Sequence, residues 1–199
     1  MFPVYIDPEM RKGTKTMPYF AVIDTETNWA DQVMSVGTVI AQARSFRPVE
    51  AKYHILPAYC EIGGMYYDAL FLETPVKPLC CTRKAAVREL LEWFARYGVT
   101  DIFAYNARFD KTHLPELGSL QWHDIMRLAA YRQYNPQIPA DAELCGTGRL
   151  KRGYGVEPML RLLSGNTGYR ETHNAVFDAL DELEIMRLLG HPLEHYPLL

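Results

Sequence analysis

Five residues of this 199-residue chain have types and spacings suited to holding a divalent cation and activating water: Asp24, Glu26, Asp110, His173 and Asp178. Asp24 and Glu26 end the apolar run Tyr19 to Ile23. Residues i and i+2 of a strand point the same way, so the two carboxylates should stand side by side. Like charges so placed raise each other's pKa, a cost that a divalent metal removes. Asp110 lies in YNARFD, just past the apolar run Val99 to Ala104. The end of such a strand is where an open α/β sheet places its site. His173 and Asp178 open the stretch Thr172 to Leu189, whose apolar stripe Val176, Leu180, Leu183, Met186 has helical spacing. Thr172 is the expected N-cap, and Gly190 with Pro192 the stop. On a regular helix an i,i+5 pair points about 140° apart. His173 and Asp178 therefore converge only if His173 lies in the entering loop or an irregular first turn. Each group also has a plainer reading, as an acidic turn or, for Asp110, as a helix cap.

Taken together, four carboxylates and one histidine suit phosphodiester hydrolysis with two divalent ions about 3.5–4 Å apart. An oxygen-rich set favours magnesium or manganese over zinc. A histidine titrating near neutrality suits the removal of a proton from water.

The rest of the chain must position these groups. The run Tyr19 to Ile23 is apolar without interruption and reads as a central strand covered on both faces. Val33 to Gln42 reads as a second strand and Tyr53 to Tyr59 as a third, forming an antiparallel meander. Gly63 and Gly64 mark a turn, and Met65 to Pro78 shows no regular pattern. Thr82 to Tyr97 is the clearest amphipathic helix, with Val87, Leu90, Leu91 and Phe94 as its stripe, Thr82 capping it and Gly98 ending it. Val99 to Ala104 should be a strand, followed by a short helix interrupted near Pro115. Ser119 to His123 reads as a last strand, Asp124 to Tyr134 as a helix and Val156 to Leu163 as another. Between these two helices, Asn135 to Gly155 is a long loop carrying Arg149, Lys151, Arg152 and Tyr154. It is either a substrate-contacting loop or plain surface.

The composition narrows the classes. Nearly half of the residues are apolar (48%), enough for a full core. A net charge of -3 gives no general attraction for nucleic acid, so such a partner needs a local basic patch or a metal. No apolar run is long enough for a membrane span, and the N-terminus has no signal-peptide core. Cys60, Cys80, Cys81 and Cys145 lack CxxC spacing and read as free thiols in a reducing cytoplasm. Residues 1–18 read as a loose arm and 19–199 as a single domain without internal repeats.

The three motifs, in this order, resemble those of the DEDDh exonucleases, the group of the bacterial polymerase III proofreading subunit, oligoribonuclease and ribonuclease T. VIDTET matches the first motif with Asp24, Glu26 and Thr27; NARFD matches the second with Asn106, Phe109 and Asp110; HNAVFDA matches the third with His173, Asp178 and Ala179. The likeness spans Tyr19 to Leu189. It implies an α/β, ribonuclease-H-like fold with a mixed five-stranded sheet, order 3-2-1-4-5, flanked by helices. It implies a 3′-to-5′ exonuclease releasing nucleoside 5′-monophosphates from single-stranded DNA or RNA. Asp24, Glu26, Asp110 and Asp178 would bind two Mg2+ or Mn2+ ions, with His173 the general base. Thr27 and Asn28 would meet the 3′-terminal nucleotide, and Asn106 and Phe109 would shape its pocket. The family often has Gly or Thr where this chain has Asn28. Trp29 either stacks on a base or packs within its hairpin. Oligoribonuclease and ribonuclease T are dimers, so the likeness also raises a homodimer. The alternative reading is a non-catalytic binding, proofreading or scaffold subunit on the same fold. The closing stretch HPLEHYPLL is too short to tether a polymerase, which favours a free-standing enzyme.

Overall fold

Strand β1 (Tyr19–Thr27) divides its side chains between two cores in the computed structural model, which describes residues 19–199. The arm expected over residues 1–18 lies outside the described residues. Phe20 and Val22 join one core, and Ala21 and Ile23 join the other. That period of two follows from the strand pleat, and burial on both faces explains the uninterrupted apolar run. Each large apolar side chain so buried contributes roughly 1.5–3 kcal/mol.

Around β1 the chain lays down β2 (Val33–Gln42) and β3 (Pro48–Ile55) as an antiparallel meander. A short strand β4 (Leu79–Cys80) runs parallel to β3. On the other side β5 (Asp101–Ala104) pairs parallel with β1, and β6 (Gln121–Asp124) pairs parallel with β5. The sheet therefore has six strands in the order β4-β3-β2-β1-β5-β6, one more than the sequence suggested. The addition is the edge strand β4, whose two residues are too few to show a period. Without it the expected order stands. The third strand starts and ends earlier than expected. Pro48 is tolerated at its first position, and Pro57 opens a short 3-10 turn, Pro57–Tyr59.

Helix α1 (Arg83–Tyr97) covers one face, capped by the Thr82 hydroxyl, which accepts from the Ala85 N–H at 3.3 Å, and ended by left-handed Gly98. Its buried face is Ala86, Val87, Leu90, Trp93 and Phe94. Leu91, assigned to the stripe from sequence, is exposed, and Trp93 fills the core instead. After β5 comes α2 (Arg108–His113), then a 3-10 turn at Pro115–Leu117. Past β6, α3 spans only Met126–Ala129, not the longer helix expected. The Asn135 amide takes the Ala129 carbonyl at 2.7 Å, and Tyr131 pairs with Arg149, so the chain leaves the helix there. Helices α4 (Val156–Ser164) and α5 (Ala175–Leu189) cover the second face. The N-cap of α5 is Asn174, not Thr172, because His173 adopts φ 54° and turns the chain before the helix begins. No helix among the described residues is long and apolar enough to cross a membrane, and all four cysteines are free.

Candidate active site

Asp24 and Glu26 share the face of β1 that looks toward α5, as the pleat requires. Asp178 comes from the first turn of α5, where the helix N-terminus favours a negative charge. Asp110 comes from the first turn of α2, with Ala107 in the cap position that sequence had offered to Asp110. His173 sits in the loop entering α5, as the five-residue spacing to Asp178 demands. A ligand atom from each of Glu26, His173 and Asp178 lies within 4.8 Å of the others.

Asp24, Glu26, His173 and Asp178 line a cleft of about 360 Å³ with Thr25, Thr27, Asn28, Trp29, Met65, Tyr66, Phe109 and Glu171; Asp110 lies behind that lining, joined to it through the Thr25 hydroxyl. No lysine or arginine is among the described residues of that lining. The electrostatics follow. Burial, then repulsion from Glu182, Asp110 and Asp178, pushes the Asp24 carboxyl far up. Burial, then Glu171 and Asp110, pushes Glu26 up to about 8. Asp110 and Asp178 are raised chiefly by burial as well. Asp24 Oδ2 and Asp178 Oδ1 are buried without a hydrogen-bond partner. Burial lowers the His173 imidazole, against a smaller opposing pull from Glu157.

Other expected residues fall differently. Asn28 borders the cleft, but its side chain is spent on the hairpin. Its Oδ1 accepts from the Ala30 and Gln32 N–H groups, and its Nδ2 donates to the Tyr59 carbonyl at 2.9 Å and to Gln32. Trp29 is 67% exposed on the rim, and Phe109 is exposed beside it in the lining. Asn106, with φ 61°, donates its backbone N–H to the Asp124 carboxylate and does not line the cleft. Arg149, Lys151 and Arg152 also lie outside the lining; Arg149 packs over the Tyr154 ring at 4.5 Å.

Three participants were missed from sequence. Thr25 faces away from Asp24 along β1, and its hydroxyl donates to Asp110 Oδ1 at 2.8 Å. The DTET motif contains it, and the period of two could have placed it on the α2 side. Glu182 is fully buried one helical turn after Asp178, with Oε2 unpaired. A glutamate at i+4 from a site carboxylate was the available signal. Tyr66 stacks on His173 and comes from a stretch with no readable pattern.

No family model matches the chain, and no curated protein matches it. Solved structures do. The nuclease domain of 3′hExo, a DEDDh family member bound to rAMP, superposes with a TM-score of 0.63 at 11% identity, over 94% of this chain and 98% of that one. The 3′-exonuclease that recognises the histone mRNA stem-loop gives 0.59 at 10% identity, covering 92% and 66%. Exonuclease I of E. coli in complex with a 5cy-dT13 oligonucleotide gives 0.55 at 13% identity, covering 90% of this chain and 42% of that one. This chain thus spans about two fifths of exonuclease I. Its fold is that of the DEDDh 3′-exonuclease nuclease domains, the likeness that its three motifs carry.

Proposed function

We propose that the chain is a divalent-metal-dependent 3′-to-5′ exonuclease acting on single-stranded ends of DNA or RNA. The observation that carries this reading is the convergence of Asp24, Glu26 and Asp178, with His173, on a cleft whose described lining has no lysine or arginine, with Asp110 close enough behind it to repel Asp24 and Glu26. The residues fit a metal. Two buried carboxylate oxygens lack partners, and burial, then mutual repulsion, raises the carboxyl pKa values, so a cation is what this oxygen-only set lacks. Asp24, Glu26, Asp110 and Asp178 would hold Mg2+ or Mn2+. When bound, such ions lower the pKa of water and offset charge on the departing oxygen.

In this reading His173 accepts the proton of the attacking water at a ring nitrogen. Water adds to the phosphorus of the last phosphodiester, and the bond to the 3′ oxygen of the preceding nucleotide breaks. The product is a nucleoside 5′-monophosphate, and the shortened strand keeps a 3′ hydroxyl. Trp29 and Phe109, exposed on the rim, offer faces for the terminal bases; such stacking is worth about 1–3 kcal/mol per base. Thr27 borders the same end of the cleft. The reading does not depend on Asn106, Arg149, Lys151 or Arg152. The likeness to a structure holding rAMP and to one holding an oligodeoxynucleotide supports single strands of either sugar as substrates.

The test is a denaturing-gel time course on 5′-labelled DNA and RNA of one sequence, with magnesium, manganese or chelator, beside Asp24→Ala. A metal-dependent ladder shrinking from the 3′ end, absent in the folded variant, is the expected result. No cleavage of either polymer by folded, metal-supplied protein would move the assignment to a binding subunit.

A further inference from the structure

The segment between β3 and β4 touches both walls of the cleft. At the hairpin wall the Trp29 N–H donates to the Gly63 carbonyl at 3.0 Å. Gly64 packs so closely on the end of β1 that a Cβ there would lie 2.7 Å from the Thr27 carbonyl oxygen. At the α5 wall the Asn174 amide donates to the Ala69 carbonyl at 2.6 Å and to the Tyr53 hydroxyl at 3.1 Å. Tyr53 in turn donates to the Leu70 carbonyl at 3.1 Å, and Leu70 is buried. Asn174 is the residue after His173 and the N-cap of α5. Residues 63–70 are thus fastened to the strand that carries Asp24 and to the loop that carries His173.

Tyr66 lies between these two anchors. Its ring stacks on the His173 imidazole with centroids 3.9 Å apart and planes 14° from parallel. His173 is held at φ 54°, a backbone conformation that costs a non-glycine residue energy and persists only where its surroundings enforce it. A histidine that moves protons is ordinarily aimed by a hydrogen bond to its second ring nitrogen. Among the described residues the His173 ring makes no hydrogen bond; its oriented contact is the face of Tyr66.

We infer that Tyr66 is a positioning residue for His173, carried on a strap formed by residues 63–70. The inference rests on the reading of His173 as the base. The strap sets the imidazole plane by stacking and leaves both ring nitrogens free, so one can face Glu26 and Asp178. Tyr66 acts through His173, which gives it a signature different from that of a residue that stacks on substrate.

The test is a double-mutant cycle of Tyr66 with His173, read as kcat and KM on a short single-stranded oligonucleotide. Tyr66→Leu should lower kcat about ten- to a hundredfold, the effect of misaligning a reacting group, and change KM little. Tyr66→Phe keeps the stack and should restore the rate. In a His173→Ala background Tyr66→Leu should have no further effect. A second readout uses metal-free protein and needs no turnover. The ring protons of His173, shielded by the stacked tyrosine, should move downfield in Tyr66→Leu and stay in place in Tyr66→Phe. Three results would overturn the inference alone: an unchanged kcat in Tyr66→Leu, an equal loss in the His173→Ala background, or unmoved His173 resonances. Full activity in His173→Ala would overturn the base assignment and the inference with it.

Discussion

Gly37 of β2 lies directly under the backbone of Ala175, the first residue of α5. A Cβ added at Gly37 would overlap the Ala175 carbonyl and the Val176 nitrogen. Gly37 also pairs with Asp24 across the β1–β2 ladder. The missing side chain therefore lets the start of α5 settle on the sheet beside Asp24, and that approach brings His173 and Asp178 to the carboxylates of β1. Gly37→Ala pushes backbone against backbone, where no rotamer can give way. Overpacking of this kind costs about 1–3 kcal/mol or more. The variant should unfold at lower temperature and lose activity beyond what its residual folded fraction explains. Wild-type activity and melting temperature together would show that the close approach is unimportant.

The Thr25 hydroxyl predicts a subtler loss. It donates to Asp110 Oδ1 and so fixes the direction of one site carboxylate and favours its ionised form, against the burial that raises its pKa. Groups that orient ligands in this way typically change metal affinity or activity by about 10–100-fold. Thr25→Val keeps the volume and removes the donor. Activity titrated against Mg2+ or Mn2+ should then require more metal for half-maximal rate, and Thr25→Ser should behave as wild type. An unchanged metal requirement in Thr25→Val would remove Thr25 from the site.

Local signals carried much of this arrangement. The unbroken apolar run Tyr19 to Ile23 marked β1 as central, and Thr82 with Gly98 gave the bounds of α1, because strand burial and helix capping are written in neighbouring residues. Angular arithmetic on His173 and Asp178 allows them to converge only if the histidine lies in the entering loop or an irregular first turn, and the loop is where it lies. What stayed hidden depends on partners distant in sequence. Gly37 looks like any strand glycine until Ala175 is known to lie above it. Nothing beside Tyr66 announces His173, and Asn28 reads as a nucleotide contact until its loop is seen closing on it. Leu91 and Trp93 exchanged places because a helical stripe tolerates a neighbour on either side, and only the shape of the core decides.

Metal and pH should act on stability together. The Glu26 carboxyl is pushed from its ordinary 4.5 up to about 8, by burial first and by Glu171 and Asp110 next. Asp24, Asp110 and Asp178 shift the same way. A raised carboxyl binds its proton more tightly in the folded state than in the unfolded chain. The stability this confers is full below the unfolded value and is lost as pH rises through the folded one. Metal-free protein should therefore melt at progressively lower temperature between about pH 4.5 and 8. Added Mg2+ or Mn2+ should raise the melting temperature by an amount that grows over the same window. Glu26→Gln should flatten the metal-free slope and shrink the metal-induced shift. A metal-free melting temperature that climbs across that window would contradict the set of mutually repelling buried carboxylates.

The pH dependence of turnover reports on His173 in the opposite sense. Burial lowers its imidazole below the usual 6.5, outweighing the pull of Glu157, and cations bound to the adjacent carboxylates would lower it further. As the base, His173 must be neutral to take a proton. The rate at saturating metal should thus rise from acid pH, with a midpoint below 6.5. His173→Ala should abolish that limb and lower kcat about 10²–10⁴-fold, the usual contribution of a positioned base. Single-turnover measurements with enzyme in excess keep the chemical step visible if product release is slow. A limb of unchanged midpoint in His173→Ala would assign the titration to the carboxylates and their metal, and would take the role of base away from His173.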